Sequence, residues 1–398
     1  MITGILFDAV RQDGGSYQMS INNLLIFINN FKKKNIKYII LTHKKNIHLD
    51  QLKIKYEIIK ISIIDFFFIF FKNIKIFKFL FIRFNCQSSF EKKLIKKNIS
   101  LLVFFFTSWK SFLLKKVKFT ATVMDVSHYD FYRKKKFKEI SSLVFLYREY
   151  LYKNILPLAY RIITESNDLK KKIIRLYKLK SNSIISIPNL PSMLLNNKKN
   201  INLIKIVKNK YNIHNKFYFY PAQFWEHKNH IIILEAIKKL KFNKNNITFI
   251  FCGRDKGNLE YIKKKISEYN IEKNVKIIGY VRDDELLILY KLCKALVMPS
   301  YFGPTNIPPV EAWSLYVPVL YSSLNRNHGK NAAIYFNPNS SNQLAKAILQ
   351  VDIRKTRKKL IKNGRLRLKD IKKENLLGHA SFSLDIKKFL NLTSTKKA

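Results

Sequence analysis

ALVMPSYFGPTNIPPVEAW, residues Ala295 to Trp313, contains a strand, a turn and a helix start in one short run. The apolar residues Ala295 to Met298 have strand length, and Pro299 and Ser300 end them. Pro308 and Pro309 then set φ near the helical value and lack N–H donors that a first helical turn leaves unpaired in any case. The spacing therefore predicts a helix starting at about Pro308, capped by Thr305 or Asn306. A strand that feeds directly into a helix is half of a β-α-β unit, and its loop leaves the carboxyl end of the strand, where open parallel sheets hold ligands.

Working outward, the same alternation runs through the whole chain and predicts an α/β protein with parallel sheets. In the first half, strands are expected near Ile2 to Phe7, Tyr38 to Leu41, Tyr56 to Ile61, Leu101 to Phe106, Phe119 to Val123, Arg161 to Thr164 and Ile184 to Ile187. After the first of these, Tyr17, Ile21, Leu24, Ile28 and Phe31 recur at helical steps and predict one buried stripe. Pro188 to Asn200 carries turn formers and no apolar period, which marks a linker. The pattern restarts with strands near Phe217 to Tyr220, Ile247 to Cys252, Val275 to Ile278, Ala295 to Met298 and Val319 to Tyr321. Two domains are expected, 1–195 and 200–375, followed by a basic helical tail, 376–398, whose return to the first domain the sequence leaves open.

The chain has 398 residues, enough for two cores, and 47% of them are apolar. Its apolar runs, such as Ile61 to Phe71, are shorter than the roughly 20 residues that span a bilayer. With no signal-peptide order at Met1, a cytoplasmic location is expected. Cys86, Cys252 and Cys293 are too few and too far apart for a disulfide framework or a zinc site, and read as core thiols. The formal charge of +49 favours anionic partners. The excess is mostly Lys, in company with many Asn, Ile, Phe and Tyr, so a base-composition bias in the gene accounts for much of it. Because the Lys residues are scattered through every helix, an anionic membrane surface is a better expected partner than nucleic acid.

Three segments at expected strand ends carry chemistry. In YPAQFWEHKNH, Tyr220 to His230, Lys228 sits at a turn before a helix and is placed to hold a diphosphate; the bland reading is one more surface lysine. In the opening segment, backbone N–H groups around Asn306 and Ile307 face an anion, and Glu311 lies one turn into the helix, able to accept hydrogens from two ribose hydroxyls. Its alternative is stabilisation of the helix dipole. In DAVRQDGGSYQ, Gly14 and Gly15 allow a close approach to a ligand or serve a tight turn. Asp125 and His128 follow another strand, where His128 either meets a sugar or phosphate or makes a loop hydrogen bond. GxxxxGK[ST], a GxGxxG after the first strand and Asp-x-Asp pairs are all missing, so ATP hydrolysis, hydride transfer and an Asp-x-Asp metal site are disfavoured.

The blocks FYFYPAQFWEHKNH, VKIIGYVRDDELLILYKLCKALVMPS, FGPTNIPPVEAWSLYVPVLYSS and GKNAAIYFNP, from Phe217 to Pro338, resemble in content and order those of retaining GT-B glycosyltransferases of the family 4 type. The first half is compatible through the paired glycines, MDVSH, ITES and IPN. The resemblance implies two doubly wound Rossmann-like domains facing across a cleft, and a nucleoside-diphosphate sugar bound mostly by the second. It also implies transfer with retention to a glycan or lipid-linked acceptor, in cell-surface polysaccharide or lipopolysaccharide assembly, with no cofactor and no metal. Lys228 would contact the diphosphate, Glu311 the ribose, and the loop Gly303, Pro304, Thr305, Asn306 and Ile307 the phosphate and sugar. Gly14 and Gly15 would border donor phosphate and acceptor, and His128 the reacting sugar. Two positions depart from the pattern: the usual Glu eight residues before Glu311 is Gly303, and the Arg often found five before Lys228 is Gln223. These departures leave a non-catalytic GT-B subunit as a rival reading, beside a sugar-nucleotide epimerase. Phe66, Phe67, Phe68, Phe70 and Phe71, with Lys72, Lys75 and Lys78 after them, read either as an interfacial helix or as core.

Overall fold

Runs of Val, Ile, Leu and Phe are stable in the middle of a sheet because both faces are covered, and here they form two all-parallel sheets. The computed structural model describes residues 1–10, 14–72, 86–134, 141–192, 201–242, 247–303 and 306–395. The polar part of the expected linker, 193–200, and Lys75 and Lys78 lie outside the described residues. The chain divides into unit 1, residues 1–126, 142–188 and 374–398, and unit 2, residues 127–141 and 189–373.

Among the described residues unit 1 carries seven strands, β1 (Ile2–Leu6), β2 (Tyr38–Thr42), β3 (Glu57–Ile58), β4 (Ile99–Phe104), β5 (Lys118–Val123), β6 (Arg161–Thr164) and β7 (Ile184–Ser186), in the order β3-β2-β1-β4-β5-β6-β7. The central pairing aligns Leu6 with Phe104 on one side and with Leu41 on the other. The helix Gly15–Lys33 buries Tyr17, Ile21, Leu24, Phe27 and Phe31. Phe27 takes the place in the stripe expected of Ile28, which is half-buried, because Phe27 stacks between Phe105 and Phe382 with ring centroids 5.9 and 4.8 Å away. Phe382 belongs to a helix of 42 residues, Arg354–Thr395. Its last part is fixed to unit 1 by Asn375 Nδ2 donating to Pro188 O at 2.7 Å and by Arg161 Nε donating to Asp385 Oδ2 at 2.7 Å.

Unit 2 carries β8 (Tyr218–Pro221), β9 (Phe249–Cys252), β10 (Val275–Ile277), β11 (Ala295–Met298), β12 (Val319–Ser322) and β13 (Ile334–Phe336), in the order β10-β9-β8-β11-β12-β13. The last, IYF, is an edge strand too short to announce itself by alternation. Trp313 is fully enclosed in the unit 2 core and its indole N–H donates to Ala332 O at 3.0 Å, so its one polar atom is satisfied. Cys252 and Cys293 are core thiols as expected, whereas Cys86 is only partly buried. Among the described residues no helix is long and apolar enough to cross a membrane.

In both sheets the chain builds outward to one side and then returns to build the other. The point of reversal lies between β1 and β4 in unit 1 and between β8 and β11 in unit 2. Diverging loops leave a crevice at the carboxyl ends of such strand pairs.

Candidate functional site

In unit 2 the chain leaves β8 through Gln223 to Asn229 and leaves β11 through Pro299 to Asn306, the two segments singled out from sequence, and the structure ties them together. Tyr301 N donates to His227 O at 3.0 Å. Asn229 takes a left-handed conformation (φ 57°), and its buried amide donates to Pro299 O at 3.3 Å and to Pro338 O at 2.8 Å. Asn tolerates that conformation at low cost, and its side chain here replaces a missing backbone partner. Lys228 closes the short 3-10 turn Glu226–Lys228, and its carbonyl accepts the Tyr220 hydroxyl at 2.8 Å. Its backbone is therefore fixed at the mouth of the central strand pair, and its side chain is half-buried.

The helix after β11 runs Ile307–Ser314, one residue earlier than the proline pair suggests, with Asn306 at the cap position. The Asn306 side chain does not cap it; its Nδ2 donates to the Tyr321 hydroxyl at 2.9 Å and to Gly303 O at 3.4 Å. Pro308 and Pro309 hold the next two positions, so Ile307 alone among the first three carries an N–H. The anion cradle expected here is accordingly narrow, limited to the amides of Asn306 and Ile307. Pro304 and Thr305 lie outside the described residues.

Gly303 adopts φ +124°, and a Cβ built on it would lie 2.4 Å from Asn306 Oδ1. The carboxylate that the family pattern puts at this position is thus replaced by a glycine in a conformation other residues avoid, with the Asn306 amide filling the space. Gly303→Glu is expected to destabilise the protein by about 1–3 kcal/mol, read as a lower Tm. Adding Asn306→Ala returns the part of that loss due to the clash; equal Tm for Gly303→Glu and wild type would show that the loop is not held this way.

Glu311 lies one turn into the helix and is 4% exposed. Its Oε2 accepts the Tyr290 hydroxyl at 2.9 Å, and the backbone of Ser192 also hydrogen-bonds to it. Burial, countered by these two bonds, pushes its pKa up from 4.5 to about 7. Tyr290 is a functional neighbour that sequence reasoning missed, hidden among the apolar residues of the helix Asp283–Leu292, and its one signal is a hydroxyl within a core stretch.

Gln223, standing where a cation is usual, accepts the Trp225 indole N–H at 3.0 Å. The chain leaving β9 runs alongside, with Phe224 N donating to Arg254 O at 2.9 Å. It brings two cations that the sequence reading overlooked: Lys256 lies 5.6 Å from the Trp225 ring centre, and Arg254 4.9 Å from that of Tyr280. Their signal was position, directly after a strand next to β8.

In unit 1 the reversal point carries Asp8, after β1, and Lys110, after β4, whose Nζ donates to Asp8 Oδ2. His43, after β2, donates Nδ1–H to Ile59 O at 2.7 Å, since a carbonyl only accepts, and turns Nε2 toward Asp8 Oδ2 at 3.3 Å. Neither Asp8, His43 nor Lys110 was singled out from sequence. Gly14 has φ +62°, a value that favours glycine, and carries the turn into the helix Gly15–Lys33; Gly15 is its first residue and needs no special conformation. Asp125 pairs with Arg148 at 3.1 Å, which gives it a loop role. His128 is fully buried, in the segment that groups with unit 2.

Residues 204–367 match the family model described as Glycosyl transferases group 1. Over 210 residues the chain is 27% identical to the O-antigen chain mannosyltransferase RfbU of Salmonella typhimurium; the match covers 52% of this chain and spans about half the length of that relative, 55%. Among solved structures, a glycosyltransferase from Rickettsia africae superposes with a TM-score of 0.69 at 15% identity, covering 97% of both chains. Anabaena HepE, solved in complex with UDP-glucose, superposes with a TM-score of 0.69 at 14% identity over 96% of this chain and 99% of its own. At such identity the likeness establishes the fold, two parallel doubly wound units of the GT-B class.

Proposed function

We propose that this chain, whose residues 204–367 belong to the glycosyl transferases group 1 family, transfers a hexose from a nucleoside diphosphate to a glycan or lipid-linked acceptor with retention at the anomeric carbon. The observation that carries this reading is the tie between the β8 and β11 exits, Tyr301 N donating to His227 O next to Lys228, with the β11 exit ending in the narrow amide start of the helix Ile307–Ser314. Departure of a nucleoside diphosphate builds negative charge on its terminal oxygen. A half-buried ammonium and fixed amide dipoles aimed at that charge lower the barrier without reorganising. Arg254 and Lys256 add positive potential on the neighbouring strand end, so the diphosphate is neutralised by protein and the reaction proceeds without a metal. Glu311 takes the ribose hydroxyls, and no protein nucleophile is required, because the leaving oxygen assists the incoming hydroxyl on the same face.

The UDP-glucose bound by Anabaena HepE and the O-antigen role of the Salmonella relative support a nucleotide-sugar donor and a place in cell-surface polysaccharide or lipopolysaccharide assembly. The positive charge fits work on the cytoplasmic face of an anionic membrane. The test is to screen purified protein against UDP-, GDP- and dTDP-sugars for binding and nucleotide release, with and without EDTA. Release from one donor class, insensitive to EDTA and giving a product of unchanged anomeric configuration, is the expected result. Binding without release from any donor supports the rival non-catalytic subunit, which Gly303 and Gln223 favour.

A further inference from the structure

The helix Ile63–Lys72 in unit 1 presents an apolar face outward: Phe66, Phe67 and Phe70 are each more than half exposed. An isolated amphipathic helix would turn such a face inward, but this one is pinned. Asp65, fully buried, accepts the N–H and hydroxyl of Ser62 at 2.9 and 3.0 Å and the N–H of Phe90 at 3.0 Å. A buried carboxylate with three donors is costly to rotate out, because each lost bond strands a charge. Phe68 and Ile69 pack on the core on the same side, so the exposed face is a built feature.

Opposite it, the helix Ser142–Ile155 exposes Leu143, Leu146 and Tyr147. Between the two lies a cavity of about 590 Å³ lined by Phe66, Phe70, Trp109, Phe112, Tyr147 and Tyr150, a size typical of small-ligand pockets. The floor connects it to chemistry. Trp109 and Lys110 are consecutive in the 3-10 turn Trp109–Leu113; the Trp109 ring meets Phe66 at 5.2 Å, while Lys110 reaches Asp8 at the reversal point of the sheet. One short turn therefore joins an apolar groove to the polar group Asp8, His43 and Lys110.

We infer that this combined surface is an acceptor site for an amphiphile: the groove takes the hydrocarbon tail, and Asp8, held by Lys110 and facing His43, accepts hydrogen bonds from the hydroxyls of its sugar head. The inference rests on the transfer reading above and narrows its acceptor to a lipid-bearing glycoside. The occupant is a tail because the groove is concave and apolar, and its floor residue Trp109 is followed directly by Lys110, which pairs with Asp8 at the strand end; a flat bilayer contact needs neither the cavity nor the trio.

The experiment uses the full chain and alkyl glucosides below their micelle thresholds, with bromine at the chain end to quench the fluorescence of Trp109. Affinity is expected to rise roughly threefold per added methylene from methyl to dodecyl, and quenching to disappear in Trp109→Phe. Phe70→Ser and Tyr147→Ser, both at exposed positions and therefore harmless to the core, weaken the dodecyl probe at least tenfold and leave circular dichroism unchanged. Asp8→Asn weakens probes of every chain length alike. Affinity independent of chain length, or quenching untouched by Phe70→Ser and Tyr147→Ser, overturns the inference. So does binding to anionic vesicles with no response to single-chain probes, which would make the face a bilayer contact. Nucleotide-sugar titrations run in parallel keep the two readings apart: donor binding without probe binding removes the groove alone, and probe binding without donor binding removes the transfer reading.

Discussion

Lys228→Ala is expected to lower turnover at saturating donor by roughly a hundredfold, the loss typical of deleting one preorganised group that stabilises developing charge. The effect should fall mainly on kcat, because the terminal diphosphate oxygen gains its charge as the glycosidic bond breaks and interactions made only then raise kcat. The 3-10 turn Glu226–Lys228 is held by Tyr220, and Asn229 just after it by its own amide, so the backbone survives loss of the side chain. Lys228→Met, which keeps the stem and drops the charge, should match alanine, whereas Lys228→Arg should retain part of the rate. Nucleotide release under single-turnover conditions is the readout. Turnover equal to wild type in Lys228→Ala would return this residue to the crowd of surface lysines.

On the proposed reading, Glu311 is expected to control donor affinity in a pH-dependent way. Its removal in Glu311→Ala takes away hydrogen bonds to a charged group, about 1.5–3 kcal/mol, and should raise the donor Kd at least tenfold with a smaller change in kcat. Burial raises its pKa from 4.5 to about 7, so below that value the folded protein holds a proton that the unfolded chain gives up near pH 4.5. Folding stability attributable to this group therefore falls as pH rises from about 4.5 to 7, by an amount on the order of 3 kcal/mol. Donor affinity moves the opposite way: the carboxylate that accepts from ribose dominates above pH 7, so affinity climbs through that point and levels off beyond it. Titration calorimetry with a nucleotide sugar from about pH 5.5 to 8.5 tests this, and Glu311→Gln should flatten the profile. Tyr290→Phe removes a bond that favours the charged form, so its inflection should shift to higher pH. A flat wild-type profile would show that Glu311 does not read the ribose as a carboxylate.

The strands were legible because most of these parallel strands are buried and read as short apolar runs; among the described residues twelve of the thirteen lie where the sequence puts them, the two-residue, exposed β3 within a longer expected run, and β13 escaped because three residues carry no period. Both loops of the unit 2 site were legible for the same reason, as whatever follows an apolar run that ends in Pro or Ala. What the sequence hid were partners set by tertiary contact. Nothing in ELLILYKLC says that the Tyr290 hydroxyl meets Glu311, and nothing near Asp8 says that His43 and Lys110 turn toward it from separate strands. Asn306 was read as a cap from its position, but a hydroxyl from β12 claims its amide instead. The family resemblance supplied an expected carboxylate at position 303, and the backbone conformation found there explains its replacement.

That replacement constrains how the loop can change. With Gly303 at φ +124° and the Asn306 amide standing where a side chain at 303 would begin, the two positions are not independent variables. A mutational path from glycine to glutamate at 303 is uphill while Asn306 stays in place, and losing Asn306 first removes one of the two side-chain partners of the Tyr321 hydroxyl, the other being His328 Nδ1 at 3.1 Å. The loop therefore sits in a valley with a ridge on either side, and its two forms should be exchangeable by paired substitution and resistant to single steps.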